Sequence, residues 1–473
     1  MRVLNIKRIL TSVIFSASLL LSSSVSTNAE DTIGSTSIDK RLLQKLTTNS
    51  VVEAIVSFDQ GISQTVIKNS LLEAGVQRGI IMESLPIAGV LLTKTQLELL
   101  ADESEVRSVY YNAPLAYDNE DSTDLTGVDQ VRNDAVFQKN NGGLPVTGKG
   151  VGVVINDSGV DGTHKDHEFG NNLVQNVAGQ VNLNAIHELL PVQYIENVPA
   201  TDNNSGHGTH VAGIVGGTGA MSGGKYEGVA PGADLIGYGS GAGLAILDTV
   251  GAFDYALTHQ SRYGIRVITN SWGDTGDIGT PFDPDHPVNI ATKALYDRNI
   301  VTVFSAGNSG PGENTITGNY KKAPWVITVA AGVKDGTLAD FSSRGNHDTK
   351  GTAMVDGIDF LWRDEPTITA PGQDIVSTRV ISPVGVLGTP KDIETIDPAH
   401  LPYYTTLSGT SMAAPHAAGV IALMLDANPL LTPSDVKQIL VNSATPMNGY
   451  ASWETGAGYI NAYNAVTHSF LAK

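Results

Sequence analysis

Read for its alternation of apolar and polar positions, the chain divides into three stretches. The first, Ile9 to Leu21, is apolar or small, follows a basic start at Arg2, Lys7 and Arg8, and leads to Thr27-Asn28-Ala29. It is shorter than the roughly 20 apolar residues a bilayer span needs. Small residues close it where a signal peptidase reads, so residues 1–29 are expected to be a secretory signal rather than an anchor. In the second stretch, 30–117, strand-like runs at Val51–Phe58, Gly89–Thr93 and Val106–Tyr111 alternate with helical patterns at Gln64–Ala74 and Thr95–Leu100. That order predicts a small α+β domain of ferredoxin-like type. An acidic run without apolar residues, Asp118-Asn119-Glu120-Asp121-Ser122-Thr123-Asp124, reads as an exposed linker over 118–125.

The third stretch, 126–473, repeats short Val/Ile-rich runs between helical patterns. Strands are expected at Val151–Ile155, Asp234–Gly237, Val267–Asn270, Val301–Ser305, Val326–Ala330 and Thr367–Ala370, with helices such as Leu247–His259 and Asn289–Asp297 between them. Runs apolar on both alternating sets of positions predict an α/β fold, a parallel sheet covered by helices on both faces. Asn346–Glu365 and Ser382–Tyr403 read as surface insertions.

Composition narrows the chemistry. The 473 residues include no cysteine, which excludes disulfides, thiolate metal sites and a cysteine nucleophile together. The net charge of −19 argues against nucleic acid or an anionic membrane as partner. Residues 30–117 hold seven basic and eleven acidic groups, so most of the negative charge lies beyond them.

Three local motifs sit at strand ends or helix starts. Asp157-Ser158-Gly159 follows the first strand of the third stretch. An acid there lies where open α/β sheets place active sites, although Asp-Ser-Gly also marks ordinary turns. Gly206-His207-Gly208-Thr209-His210 opens an apolar helix. Its two histidines also admit a zinc reading, but no helical carboxylate partner accompanies them and His210 fits a packing role. Gly409-Thr410-Ser411-Met412-Ala413-Ala414-Pro415-His416 places a serine at the start of a buried helix, where it either caps or meets developing negative charge. Together the order is acid, histidine, serine. A serine needs a base, and the base needs a carboxylate to hold its tautomer. Asn308, after Val301–Ser305, adds an amide donor for an oxyanion.

In these motifs the chain resembles a secreted subtilase, a subtilisin-like serine protease with an N-terminal inhibitor-type propeptide. The resemblance covers about Thr126 to His468. It implies that Asp157 orients His207, His207 is base and then acid, Ser411 is nucleophile, and Asn308 completes the oxyanion hole. It also implies that Ser271-Trp272-Gly273 pairs with substrate backbone, with Trp272 and Gly307 lining the pocket before the scissile bond. Trp272 equally suits a core position. Residues 30–117 become a self-inhibiting propeptide and Tyr117–Asp118 the junction, in a secreted, monomeric protein acting on proteins or peptides. No cofactor is implied for the chemistry. Calcium is implied as a structural ion, with Asp166 as ligand, while Asp274, Asp277, Asp283 and Asp285 form an acidic loop that equally suits a solvated turn. Asn156, where the family often has an apolar residue, either donates near Asp157 or ends the strand. The rival readings are an inactive subtilase scaffold that only binds, and a serine esterase. The esterase normally carries G-x-S-x-G, which Gly409-Thr410-Ser411-Met412-Ala413 does not match.

Overall fold

The computed structural model describes residues 31–33, 36–113, 116–117, 124–180, 183, 186–203, 205–240, 245–380 and 390–472. The expected signal 1–29, most of the linker 118–125 and part of the insertion 382–403 lie outside them.

The frame is an eight-stranded sheet in the order Gln193–Ile195, Leu173–Gln180, Asp234–Gly239, Gly152–Asp157, Ile265–Asn270, Val301–Ser305, Ile327–Gly332, Ile368–Pro371. All neighbours pair in parallel except Gln193–Ile195, which runs antiparallel at the edge. The period of two decides which face each side chain serves. Val153, Ile155, Leu235, Val267, Val303 and Val329 share one core with the helices His207–Gly216, Thr410–Ala427 and Ala462–Leu471. Val154, Ile236, Ile268 and Phe304 face the other way, onto Ile246–Thr258 and Pro287–Asp297. Both faces are therefore apolar, and the strands read as continuous hydrophobic runs.

The N-terminal layer has its own sheet. Val52–Phe58 lies between Val106–Tyr111 and Ile87–Leu92, antiparallel to both, and Gly79–Ile81 continues it beside Ile87–Leu92. The helices Lys40–Thr48, Gln64–Glu73 and Lys94–Ala101 cover one face through Leu42, Ile67, Leu71, Leu97 and Leu100. The opposite face, with Ile55, Ile80 and Ile87, packs on Ile246, Leu247 and Val250 of the larger body. Gly89 has no Cβ there because Leu247 fills that space. Asp254, buried in the same helix, accepts from the backbone N–H groups of Glu83 (3.1 Å), Ser84 (2.6 Å) and Leu85 (3.1 Å).

The segment 346–365 folds as an antiparallel hairpin, Lys350–Val355 with Ile358–Arg363. Phe360 and Trp362 pack inward on Trp325 and Phe282. In the described part of 382–403, Asp392 accepts from Arg379 Nη2 (2.6 Å) and Thr406 N (2.6 Å), holding it to the strand pair Ile375–Thr378 and Tyr404–Leu407.

Candidate active site

Asp157 ends the central strand Gly152–Asp157, and its side chain is buried. Its Oδ1 accepts from Ser158 N (2.7 Å) and faces His207 Nδ1 at 2.6 Å. Nδ1 therefore carries the proton, which leaves Nε2 as the basic nitrogen. His207 begins its helix because Gly206 supplies a left-handed residue, φ 77°, just before it. Gly208 follows, with its Cα against Gly159 and the Asp157 Cβ.

Ser411 lies in the first turn of Thr410–Ala427. Its hydroxyl donates to Ser271 O (3.0 Å), while Ser271 Oγ donates back to Ser411 O (2.7 Å). In this state the serine hydroxyl thus bonds Ser271 O. Asn308 follows Val301–Ser305. Its Oδ1 accepts from Thr410 N (2.9 Å) and Thr410 Oγ1 (3.0 Å), so its Nδ2 remains available as donor. Thr410 Oγ1 also accepts from Gly307 N (2.9 Å). The N–H of Ser411, in the helix's first turn, has no partner of its own in the helix.

Acid, imidazole, hydroxyl and amide thus converge at strand ends and two helix starts, and a model described as the subtilase family matches residues 148–459. The chain belongs to the subtilase family. As a subtilase it is a serine-type endopeptidase. Over 388 residues it is 33% identical to the serine protease AprX of Bacillus subtilis (strain 168), covering 78% of this chain and 76% of that one. To a subtilisin of Bacillus sp. (strain TA39) it is 30% identical over 64% of this chain and 62% of that one. Among solved structures, the S41 psychrophilic protease aligns with TM-score 0.51 and 28% identity, over 72% of this chain and all but 1% of its own. Fervidolysin from Fervidobacterium pennivorans shares the fold, with TM-score 0.58 and 18% identity over 88% of this chain and 61% of that one.

Within this subtilase some expected residues take other roles. Trp272 is not a pocket wall. Its indole is fully buried against Phe253, Phe304 and Tyr320, and Nε1 donates to Asn156 O (3.0 Å). Only its backbone meets the outer edge, where Trp272–Gly273 pairs antiparallel with Ala116–Tyr117. Gly307, φ 114°, lies with its Cα against Thr317 and Ser343. Asn156 donates to Asn270 Oδ1 (2.8 Å) and Thr249 O (3.2 Å), not to Asp157. His210 is buried, with Nε2 at 3.2 Å from Thr405 O, and burial pushes its pKa down to about 3. That suits packing.

Asp166 does not fit a calcium ligand. One carboxylate oxygen accepts from Met221 N (3.0 Å), the other from the Tyr404 hydroxyl (2.7 Å). Each carboxylate oxygen is already held by a donor of the protein, whereas calcium takes six to eight oxygen ligands. Among the described residues no group of three or more His, Cys, Asp or Glu is arranged to hold a metal. The acidic loop instead faces the N-terminal layer. Asp274 pairs with Arg41, and Asp285 with Arg107 at 2.5 Å. Among the described residues no helix is long and apolar enough to cross a membrane.

Two functional residues escaped the sequence reading. Thr410 positions Asn308, and it directly precedes Ser411 in the same motif. Asp202 is buried and accepts from Ser158 Oγ (3.1 Å), Gly206 N (3.0 Å), Thr209 N (3.1 Å) and Thr209 Oγ1 (2.7 Å). It ties the Asp157 strand end to the His207 helix start, and burial raises its pKa. The available signal was an acid five residues before His207 in a polar run.

Proposed function

We propose that this subtilase is a secreted, monomeric endopeptidase made as a self-processing zymogen. Residues 1–29 direct export, 30–117 form a removable inhibitor, 118–125 the exposed junction and 126–473 the catalytic domain. Asp157 orients His207, His207 is the general base and Ser411 the nucleophile.

The observation that carries the reading is the antiparallel pairing of Ala116–Tyr117 on Trp272–Gly273, beside a Ser411 Oγ only 3.0 Å from Ser271 O. A chain added at this edge is held by its backbone, so many sequences can be presented to the nucleophile. On substrate binding the Ser411 hydroxyl leaves Ser271 O for His207 Nε2, and Oγ attacks the carbonyl carbon. The oxyanion takes hydrogen bonds from Ser411 N and Asn308 Nδ2. His207 then passes the proton to the departing nitrogen, and water repeats the sequence on the acyl-enzyme.

Ser411→Ala tests this. The variant is expected to accumulate with its N-terminal region attached and to lose casein hydrolysis, read by mass spectrometry and a peptide-release assay. Normal maturation of that variant in a protease-free host would sink self-processing. An active product in the medium that still began near Glu30 would sink removal of 30–117.

A further inference from the structure

The helix Thr410–Ala427 carries a proline, Pro415, one helical turn after Ser411. In an α-helix the carbonyl of residue 411 takes its hydrogen bond from the N–H of residue 415. Proline has no N–H, and its ring crowds the carbonyl of the preceding turn. Ser411 O therefore lacks its regular helical donor, in a turn where Ser411 and Pro415 are both buried. A buried carbonyl left unpaired is costly. Ser271 supplies a donor from outside the helix. Its hydroxyl donates to Ser411 O at 2.7 Å, while its own carbonyl accepts the Ser411 hydroxyl at 3.0 Å.

Ser271 itself stands on a fixed support, and it is fully buried. Before it, Asn270 Nδ2 donates to Val303 O (3.0 Å) and Asn270 Oδ1 accepts from Asn156 Nδ2 (2.8 Å). After it, the buried Trp272 indole donates to Asn156 O (3.0 Å). The segment is thus tied to both neighbouring strands of the sheet, Gly152–Asp157 and Val301–Ser305. Through Ser271 the sheet, rather than the helix alone, sets where the Ser411 backbone lies.

We propose that Ser271 is a positioning residue for the nucleophile, its hydroxyl standing in for the N–H that Pro415 lacks. It holds the Ser411 backbone in place while the Ser411 side chain turns from Ser271 O to His207. The inference rests on the reading of Ser411 as nucleophile. It is separate from pairing with substrate, which uses the backbone of 271–273. The Ser271 hydroxyl is engaged by Ser411 O, so its loss should lower turnover and leave binding of an extended chain unchanged. Small displacements of an attacking atom are expensive in rate.

The test uses the full-length chain with Ser271→Ala, with Ser271→Thr, and with Ser271→Ala combined with Pro415→Ala. Secreted enzyme is assayed on an extended peptide, and active sites are counted by phosphonofluoridate labelling of Ser411. In Ser271→Ala, kcat per labelled site should fall about 10- to 100-fold with KM unchanged, and the labelling rate should fall in step. Ser271→Thr keeps the hydroxyl and should recover part of the loss. Pro415→Ala gives residue 415 an N–H, so the double variant should also recover part of it, which a purely additive second lesion would not do. An unchanged kcat in Ser271→Ala, or a loss carried by KM alone, would overturn the assignment. So would a double variant no better than Ser271→Ala in kcat or, should Ser271→Ala fail to fold or mature, in yield of processed enzyme. These results leave the protease reading intact. Wild-type enzyme that neither cleaves peptide nor takes the label at Ser411 would overturn both.

Discussion

The two polar assemblies of this subtilase are built differently. At the ends of the parallel strands, Asp157, Asp202, Asn308 and Thr410 each hold two or more hydrogen bonds, and Asp157, Asp202 and Thr410 are buried. Against the N-terminal layer, Asp254 grips three backbone N–H groups, but Arg41–Asp274 and Arg107–Asp285 lie toward the rim and keep water on one or both sides. Buried networks fix geometry, because each lost partner leaves a desolvated group. Rim pairs give orientation at little cost in release. The first assembly suits a site that must not shift, the second a layer whose release we propose.

The sharpest way to break the first assembly is Asp157→Asn. Oδ1 now accepts both Ser158 N–H and the His207 Nδ1–H. An amide turned with its NH2 group at the Oδ1 position gives up Ser158 N–H, presents a donor to His207 Nδ1 and favours the tautomer protonated at Nε2, which cannot act as base. The expected loss in kcat is roughly 10⁴-fold with little change in melting temperature. A loss under tenfold would mean that the carboxylate does not set the tautomer.

This part of the site was legible because its chemistry sits in contiguous motifs. Asp157, His207, Asn308 and Ser411 each directly follow an apolar strand or open a helix. The parallel sheet was legible too, since Val153 to Ile155 and Val301 to Phe304 are apolar on both faces. The strand Leu173–Gln180 was not, because its buried Gln175 and Asn176 interrupt the apolar run. Asn176 is tolerated there since it donates to Val160 O (2.9 Å) and accepts from Thr201 Oγ1 (2.8 Å), contacts distant in sequence. Trp272 misled for a related reason. Its neighbours along the chain are substrate-edge residues, but its ring meets Phe253, Phe304 and Tyr320, which no local pattern announces. Asp166 matched a position while its partners, Met221 in a turn and Tyr404 at the start of a strand, are distant in sequence and no local pattern announced them.

A second contrast concerns acid. Burial holds His167, His210 and His416 of the larger body neutral, with pKa values pushed down to about 3, and His286 likewise beneath Tyr110 at the N-terminal layer. In the unfolded chain each takes a proton below about 6.5. Between those values the unfolded state binds more protons, so stability falls as pH drops from about 6.5 toward 3. Each histidine contributes about 1.4 kcal/mol per pH unit within that window. Urea midpoints at pH 7, 6, 5 and 4 should decline steeply, and His210→Gln should flatten the decline by one proton. Equal midpoints at pH 7 and 4 would contradict the burial of these rings.

The smallest effect tests the rim itself. Asp274 is 4% exposed and its partner Arg41 27%, whereas Asp285 is 33% exposed and Arg107 22%. Arg41→Ala strands a nearly buried carboxylate, which should cost about 1–2 kcal/mol, or roughly tenfold faster loss of the N-terminal layer. Arg107→Ala leaves Asp285 free to hydrate, so its cost should stay below about 1 kcal/mol and shrink further at 1 M salt. The half-life of the cleaved but still attached layer, followed by gel after maturation of each full-length variant, separates the two. Equal half-lives would mean that burial of the acid does not govern release and that the docking free energy resides instead in Asp254 and the apolar face around Leu247.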